Sequence, residues 1–198
     1  MSNDLKATVL VTVLMIVLVT IPVLILRFTQ SHAAEVHKLI AAWGEGKGLR
    51  RTAESALPPE LVRVYSSVMS FVWKDGVLSV LAMPHRGGMN TTLWARPARG
   101  PAVGTAYAHA RAFGSGLGHA IPEQPTGDAV FDGAFMVRGA RAEDVQAIFA
   151  PKVRSALLER AGEIETFSWD GTRWSITLRG SQWDRGLSLI ERVQSALR

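Results

Sequence analysis

The chain contains no cysteine. That excludes disulfides, thiolate zinc sites, iron–sulfur clusters and thiol nucleophiles, and it leaves the redox compartment undecided, because a cysteine-free domain is stable in either. Two further absences are local. No charged side chain occurs from Ala7 to Leu26, and no acidic one from Gly76 to Pro122. Dense basic runs and basic–aromatic alternation are also missing, which argues against a nucleic-acid partner.

In the charge-free run, fourteen of twenty residues are Val, Leu or Ile. A helix rising about 1.5 Å per residue covers roughly 30 Å over that length, the hydrocarbon thickness of a bilayer. At about −0.3 to −0.6 kcal/mol for each such side chain, insertion absorbs Thr8, Thr12, Thr20 and Pro22, with a kink expected at the proline. The expected organisation is therefore a tail over 1–6, a transmembrane helix over 7–27, a juxtamembrane helix and linker over 28–57, and a soluble domain over 58–198. A cleaved secretory signal is the alternative, since Ser31-His32-Ala33 has a small-x-small form. Against it, the apolar run exceeds the usual length of about 7–15 residues and is followed by Arg27.

Lys6 and Asp4 flank the run on one side, and Arg27, Lys38, Lys47, Arg50 and Arg51 on the other. The positive-inside bias predicts a single-pass protein of a bacterial inner membrane with its C-terminal domain on the cytoplasmic face. An exported or periplasmic domain is the competing topology. The formal charge of +5 is uneven: from Arg27 to Gly127 there are eleven Lys/Arg and six Asp/Glu, against ten of each from Asp128 onward. Arg86, Arg96, Arg99 and Arg111 stand in the acid-free stretch and are candidate contacts for anionic lipid headgroups or an acidic protein partner, at about 1 kcal/mol per basic group near the surface. Scattered, solvated arginines are the bland reading of the same four residues.

Periodicity predicts the rest. Val36, Leu39, Ile40 and Trp43 recur at helical spacing until Gly44, Gly46 and Gly48 stop them, and 49–56 reads as linker. Residues 68–73 and 77–83 flank Asp75-Gly76 as a hairpin, and Phe167, Trp169, Asp170-Gly171, Ser175 and Ile176 repeat that vocabulary. Two independent Asp-Gly hairpins explain the echo as well as a duplication does. Strands are expected over 91–96, 103–110 and 134–138, and helices over 142–149, 151–161 and 183–197. Pro151 suits the first helical position, and Leu187, Ile190, Val193 and Leu197 are expected to be buried on the last helix. The order reads as α+β, a mainly antiparallel sheet with helices packed on one face.

Candidate chemistry is thin. Gly114-Ser115-Gly116-Leu117-Gly118 fits neither a phosphate loop nor a nucleophile elbow. His85, His109 and His119 share the acid-free region, yet their spacing fits no helical or hairpin ligand pair, so no metal and no cofactor is expected. Asp128 and Asp132 would need a cleft and split pKa values to act as acid and base; that enzymatic reading stays as the alternative to a non-catalytic one.

The most distinctive constellation is Phe131, Asp132, Phe135, Val137, Arg138 and Gly139, followed by Pro151, Val153, Arg154, Leu157 and Leu158. In it the chain resembles a group of bacterial proteins in which a domain of unknown function follows one N-terminal membrane helix. There an F-D-x-x-F-x-V-R-G loop precedes a P-x-V-R-x-x-L-L helix, a hairpin and a closing helix. The resemblance implies a fold and an anchored arrangement and supplies no catalytic residues. Physically, two buried phenylalanines contribute about 1.5–3 kcal/mol each, and an Asp between them can fix a loop through backbone N–H groups. Arg154 is expected to pair with Asp132. The expected function is a membrane-anchored binding or scaffolding module.

Overall fold

The computed structural model describes residues 3–53, 68–74, 76–85, 88–96, 104–113 and 121–197, with side chains described except at 3–11, 13, 25–33, 84–85 and 88. Its first element is one helix, α1 (Asn3–Gly46), with Pro22 inside it. Among the described residues, no helix is long and apolar enough to cross a membrane. The span expected over 7–26 lies wholly within α1, and its side chains are described at Thr12 and over 14–24, where Leu14, Ile16, Leu18, Val19 and Leu24 are exposed.

The other end of α1 belongs to the domain. Val36 and Ile40 are buried in the core, and Gly44 lies so close to the strand β2 (Met69–Trp73) that a Cβ there would overlap the Phe71 ring. The linker expected over 49–56 is also corrected, because Arg50–Thr52 forms a strand, β1, which pairs with β2. The core thus begins upstream of residue 58, since Val36 and Ile40 belong to it and Trp43 and Gly44 lie against Phe71.

Strands β2 (Met69–Trp73), β3 (Gly76–His85), β4 (Gly88–Arg96), β5 (Ala106–Ala110), β6 (Phe135–Gly139), β7 (Ile164–Trp169) and β8 (Trp174–Arg179) complete an eight-stranded antiparallel sheet in the order β1-β2-β3-β4-β8-β7-β5-β6. Register puts Phe71, Leu78, Ala95, Trp174, Trp169, Ala106 and Gly139 in one row across it, and Val80, Leu93, Ile176, Phe167, Ala108 and Val137 in the next. Every residue of the second row is buried, as alternation along half-covered strands requires. On the opposite face hydroxyls satisfy one another across strands: Thr92 with Thr177 at 3.0 Å and Ser168 with Ser175 at 2.7 Å.

The helices that follow are α2 (Ala129–Ala134), α3 (Ala142–Ile148), α4 (Pro151–Leu158) and α5 (Trp183–Ala196). Three of them pack on the apolar face, through Phe131 on Phe135, Val145 at Gly139, and Gly186 against Leu93 and Leu178; α4 packs against α5, and Phe149, between α3 and α4, meets Phe167. Gly186 is small because those two leucines fill the space its side chain would take. The stripe of α5 is displaced from the expected one: Leu189, Ile190 and Val193 are buried, while Leu187 and Leu197 are half-buried. A short helix, α2, also stands where a loop was expected, because Asp128 caps it.

The two hairpin turns differ. Gly171 has φ 90°, and Asp170 Oδ1 accepts from the Thr172 and Arg173 backbone N–H groups at 3.0 and 2.7 Å. In the early hairpin the positive φ, 38°, falls on Lys74, Asp75 lies outside the described residues, and Gly76 is kept small by the Arg96 carbonyl beside it.

Candidate functional site

The Phe-Asp segment is built around two carboxylates with separate tasks. Asp128 is the N-cap of α2: its Oδ1 accepts from the N–H groups of Val130 and Phe131, both at 3.1 Å. These bonds, the Phe131 one foremost, with Arg154 alongside, hold its carboxyl below the usual carboxylate range against the opposing effect of desolvation. Asp132, four residues on, turns back: Oδ1 accepts from Thr126 N and Oγ1 at 3.0 and 2.9 Å, and Oδ2 from Gly127 N at 3.0 Å. Gly127 has φ 80°, which this reversal demands.

The expected pairing of Arg154 with Asp132 is corrected. Arg154 Nε lies 3.1 Å from Asp128 Oδ2, and Nη1 donates to the Phe149 carbonyl at 2.9 Å. Capping leaves one Asp128 oxygen turned to α4, whereas both Asp132 oxygens are occupied by the 126–127 turn. Phe131 and Phe135 are fully buried, with centroids 4.9 Å apart, and the aromatic chain continues through Phe149, Phe167 and Trp174 at 5.7, 5.5 and 5.9 Å. Arg138 Nη1 donates to the Ile121 carbonyl at 2.6 Å, tying edge strand β6 to the segment before α2.

Of the four arginines of the acid-free stretch, Arg86 and Arg99 lie outside the described residues. Arg96 is half-buried at the end of β4. Arg111 is exposed and engaged by neighbouring groups, with Nε donating to the Asp132 carbonyl at 2.7 Å and Nη2 to Glu123 Oε1 at 2.5 Å. Two of the four, Arg96 and Arg111, are therefore described. His119 and the His85 side chain also lie outside the described residues, as does 114–118. His109 is buried on β5 with neither ring nitrogen hydrogen-bonded, and the described residues contain no group of His, Asp and Glu arranged to hold a metal.

Sequence reasoning missed two clusters. Asp144, 2% exposed, is held by Arg141 through Nε at 3.0 Å and Nη2 at 2.7 Å, and the Gly104 N–H adds to these in keeping its carboxyl below the usual range. The other is a shallow cleft of about 330 Å³ between the end of α1 and the start of α5, lined by Trp43, Ser181, Gln182, Trp183, Asp184 and Arg185. Trp43 Nε1 donates to Asp184 Oδ1 at 2.8 Å, Lys47 Nζ lies 2.9 Å from the same oxygen, and Trp183 Nε1 donates to Thr91 Oγ1 at 3.1 Å. The Lys47 bond and then the Trp43 bond lower the Asp184 pKa. The partners are 141 positions apart, so no local pattern announces the cleft.

No family model and no curated protein matches the chain. Among solved structures it is similar to the mycobacterial trehalose monomycolate transport factor A, TtfA, with a TM-score of 0.58 and 13% identity over 82% of this chain and 94% of that one. At that identity the likeness shows the fold alone.

Proposed function

We propose that the chain is a membrane-anchored accessory module that binds or scaffolds partners instead of catalysing a reaction, held in a bacterial inner membrane by 7–26 with its domain on the cytoplasmic face. The observation that carries this reading is the continuity of α1. One helix is exposed and apolar at Leu14, Ile16, Leu18, Val19 and Leu24, and contributes Val36 and Ile40 to the core. An uncharged run that offers no polar face is suited to lipid, and its rigid continuation ties the domain to that anchor. Similarity in fold to a protein named as a transport factor supports an accessory role. Against the enzymatic alternative, the Asp128 and Asp132 carboxylates are both engaged by backbone N–H groups and face different elements.

Alkaline carbonate extraction of membranes tests the anchor: the protein is expected in the pellet, because hydrophobic insertion is not screened by ions. Release into the supernatant would overturn it. Protease access in intact and permeabilised cells tests the topology, with protection of the domain until the membrane is opened as the expected result; an anionic lipid or acidic partner would then meet the domain from the cytoplasm.

A further inference from the structure

We propose that the cleft between the end of α1 and the start of α5 binds a neutral sugar free in solution. The indole N–H groups of its two tryptophans are already engaged. The Trp43 indole N–H is committed to Asp184 and that of Trp183 to Thr91, and the rings meet edge-on with centroids 5.9 Å apart. What they offer a ligand is therefore apolar ring surface, the kind that packs against the C–H face of a pyranose.

Around the indoles stand Ser181, Gln182, Asp184 and Arg185, hydrogen-bonding groups of both kinds. The charges near the cleft are already balanced. Lys47 pairs with Asp184, and Arg185 lies 3.5 Å from Glu163 and donates to Gln182 Oε1 at 2.8 Å. An anion would meet the Asp184 carboxylate, and a cation would meet Lys47 and Arg185. A neutral polyhydroxylated molecule meets neither penalty and finds donors and acceptors among the lining residues. At about 330 Å³ the volume sits at the small end of ligand sites, and the open shape predicts weak, millimolar binding.

The source follows from the anchored reading above, on which this choice rests. Trp43 stands seventeen residues beyond Leu26, about 25 Å along a helix, whereas the headgroup layer adds only about 5–8 Å beyond the hydrocarbon. A glycolipid seated in the same bilayer falls short of the cleft, and a soluble sugar does not.

The test uses the full chain in phosphatidylcholine nanodiscs, which carry no sugar, with maltose, cellobiose and sucrose each present at millimolar concentration. Saturation-transfer NMR should show transfer from protein to the ring protons of at least one of them. That signal should be lost in Gln182→Ala or Arg185→Ala, both exposed at the rim, with melting unchanged, and in Trp183→Ala. Absence of transfer to all three sugars would overturn the proposal, as would signals undiminished in both rim variants. Displacement of the sugar by a galactolipid placed in the nanodisc would overturn the free source. Should carbonate release the protein while the sugar signal persists, the anchor fails and the cleft assignment stands.

Discussion

Arg154 and Asp128 join two helices through one carboxylate: Oδ1 starts α2, and Oδ2 receives Arg154 from α4 at 3.1 Å. The pair stands where α2, α4 and the aromatic chain converge, so it organises the junction that places Phe131 and Phe135.

Removing either partner should therefore lower the melting temperature, and the double variant Asp128→Ala/Arg154→Ala should lose less than the sum of the single losses. Additive losses would mean that the pair is incidental. Because the folded-state pKa of Asp128 is depressed, its contribution is present above the unfolded value of about 3.9 and disappears as pH falls through the lower folded value. Asp128→Asn keeps the cap and removes the titration, so thermal scans below about pH 4 should show a shallower decline for this variant than for the native chain.

Phe135→Ala should destabilise the domain by about 3–5 kcal/mol, because a fully buried ring in contact with Phe131 is replaced by a cavity. Urea denaturation checks it. A loss below about 1 kcal/mol would show that the site collapses around the smaller side chain.

Ile40→Ala should cost about 2–5 kcal/mol by the same route, since α1 is part of the core. Deleting 1–33 should leave a folded domain, whereas deleting 1–46 should give an aggregated or molten product. Circular dichroism of the two truncations distinguishes a core that includes the end of α1 from one that begins at β2.

Gly171→Val should destabilise by about 1–3 kcal/mol, because a β-branched residue resists the φ of 90° in that turn. An unchanged melting temperature would mean that the turn rearranges without loss.

Legibility in the sequence tracked how local each signal is. The late hairpin, the helix begun by Pro151 and the burial of Phe131 and Phe135 are set by neighbours within a few residues, and the pattern of each was readable. The α+β class followed from their order. The strand Arg50–Thr52 was missed because three residues with two exposed arginines carry no alternation and exist only through pairing with β2. Helix α2 was missed because Gly133 and two aspartates read as loop unless the cap geometry is known. The cleft at Trp43 depends on chain segments far apart in sequence, and the Arg154 partner depends on which carboxylate has an oxygen left over.

The order β4-β8-β7-β5 also sets a timetable. Asn90 pairs with Arg179, so the middle of the sheet is sealed by a strand synthesised nearly ninety residues after its neighbour. Until Trp174–Arg179 leaves the ribosome, the β1–β4 meander presents an unpaired edge with Leu93 and Ala95 uncovered. Long-range closure of this kind is slow and leaves sticky intermediates. If 7–26 inserts as proposed, it leaves the ribosome first and would hold that unfinished half-sheet at a membrane surface while the second half is still being made.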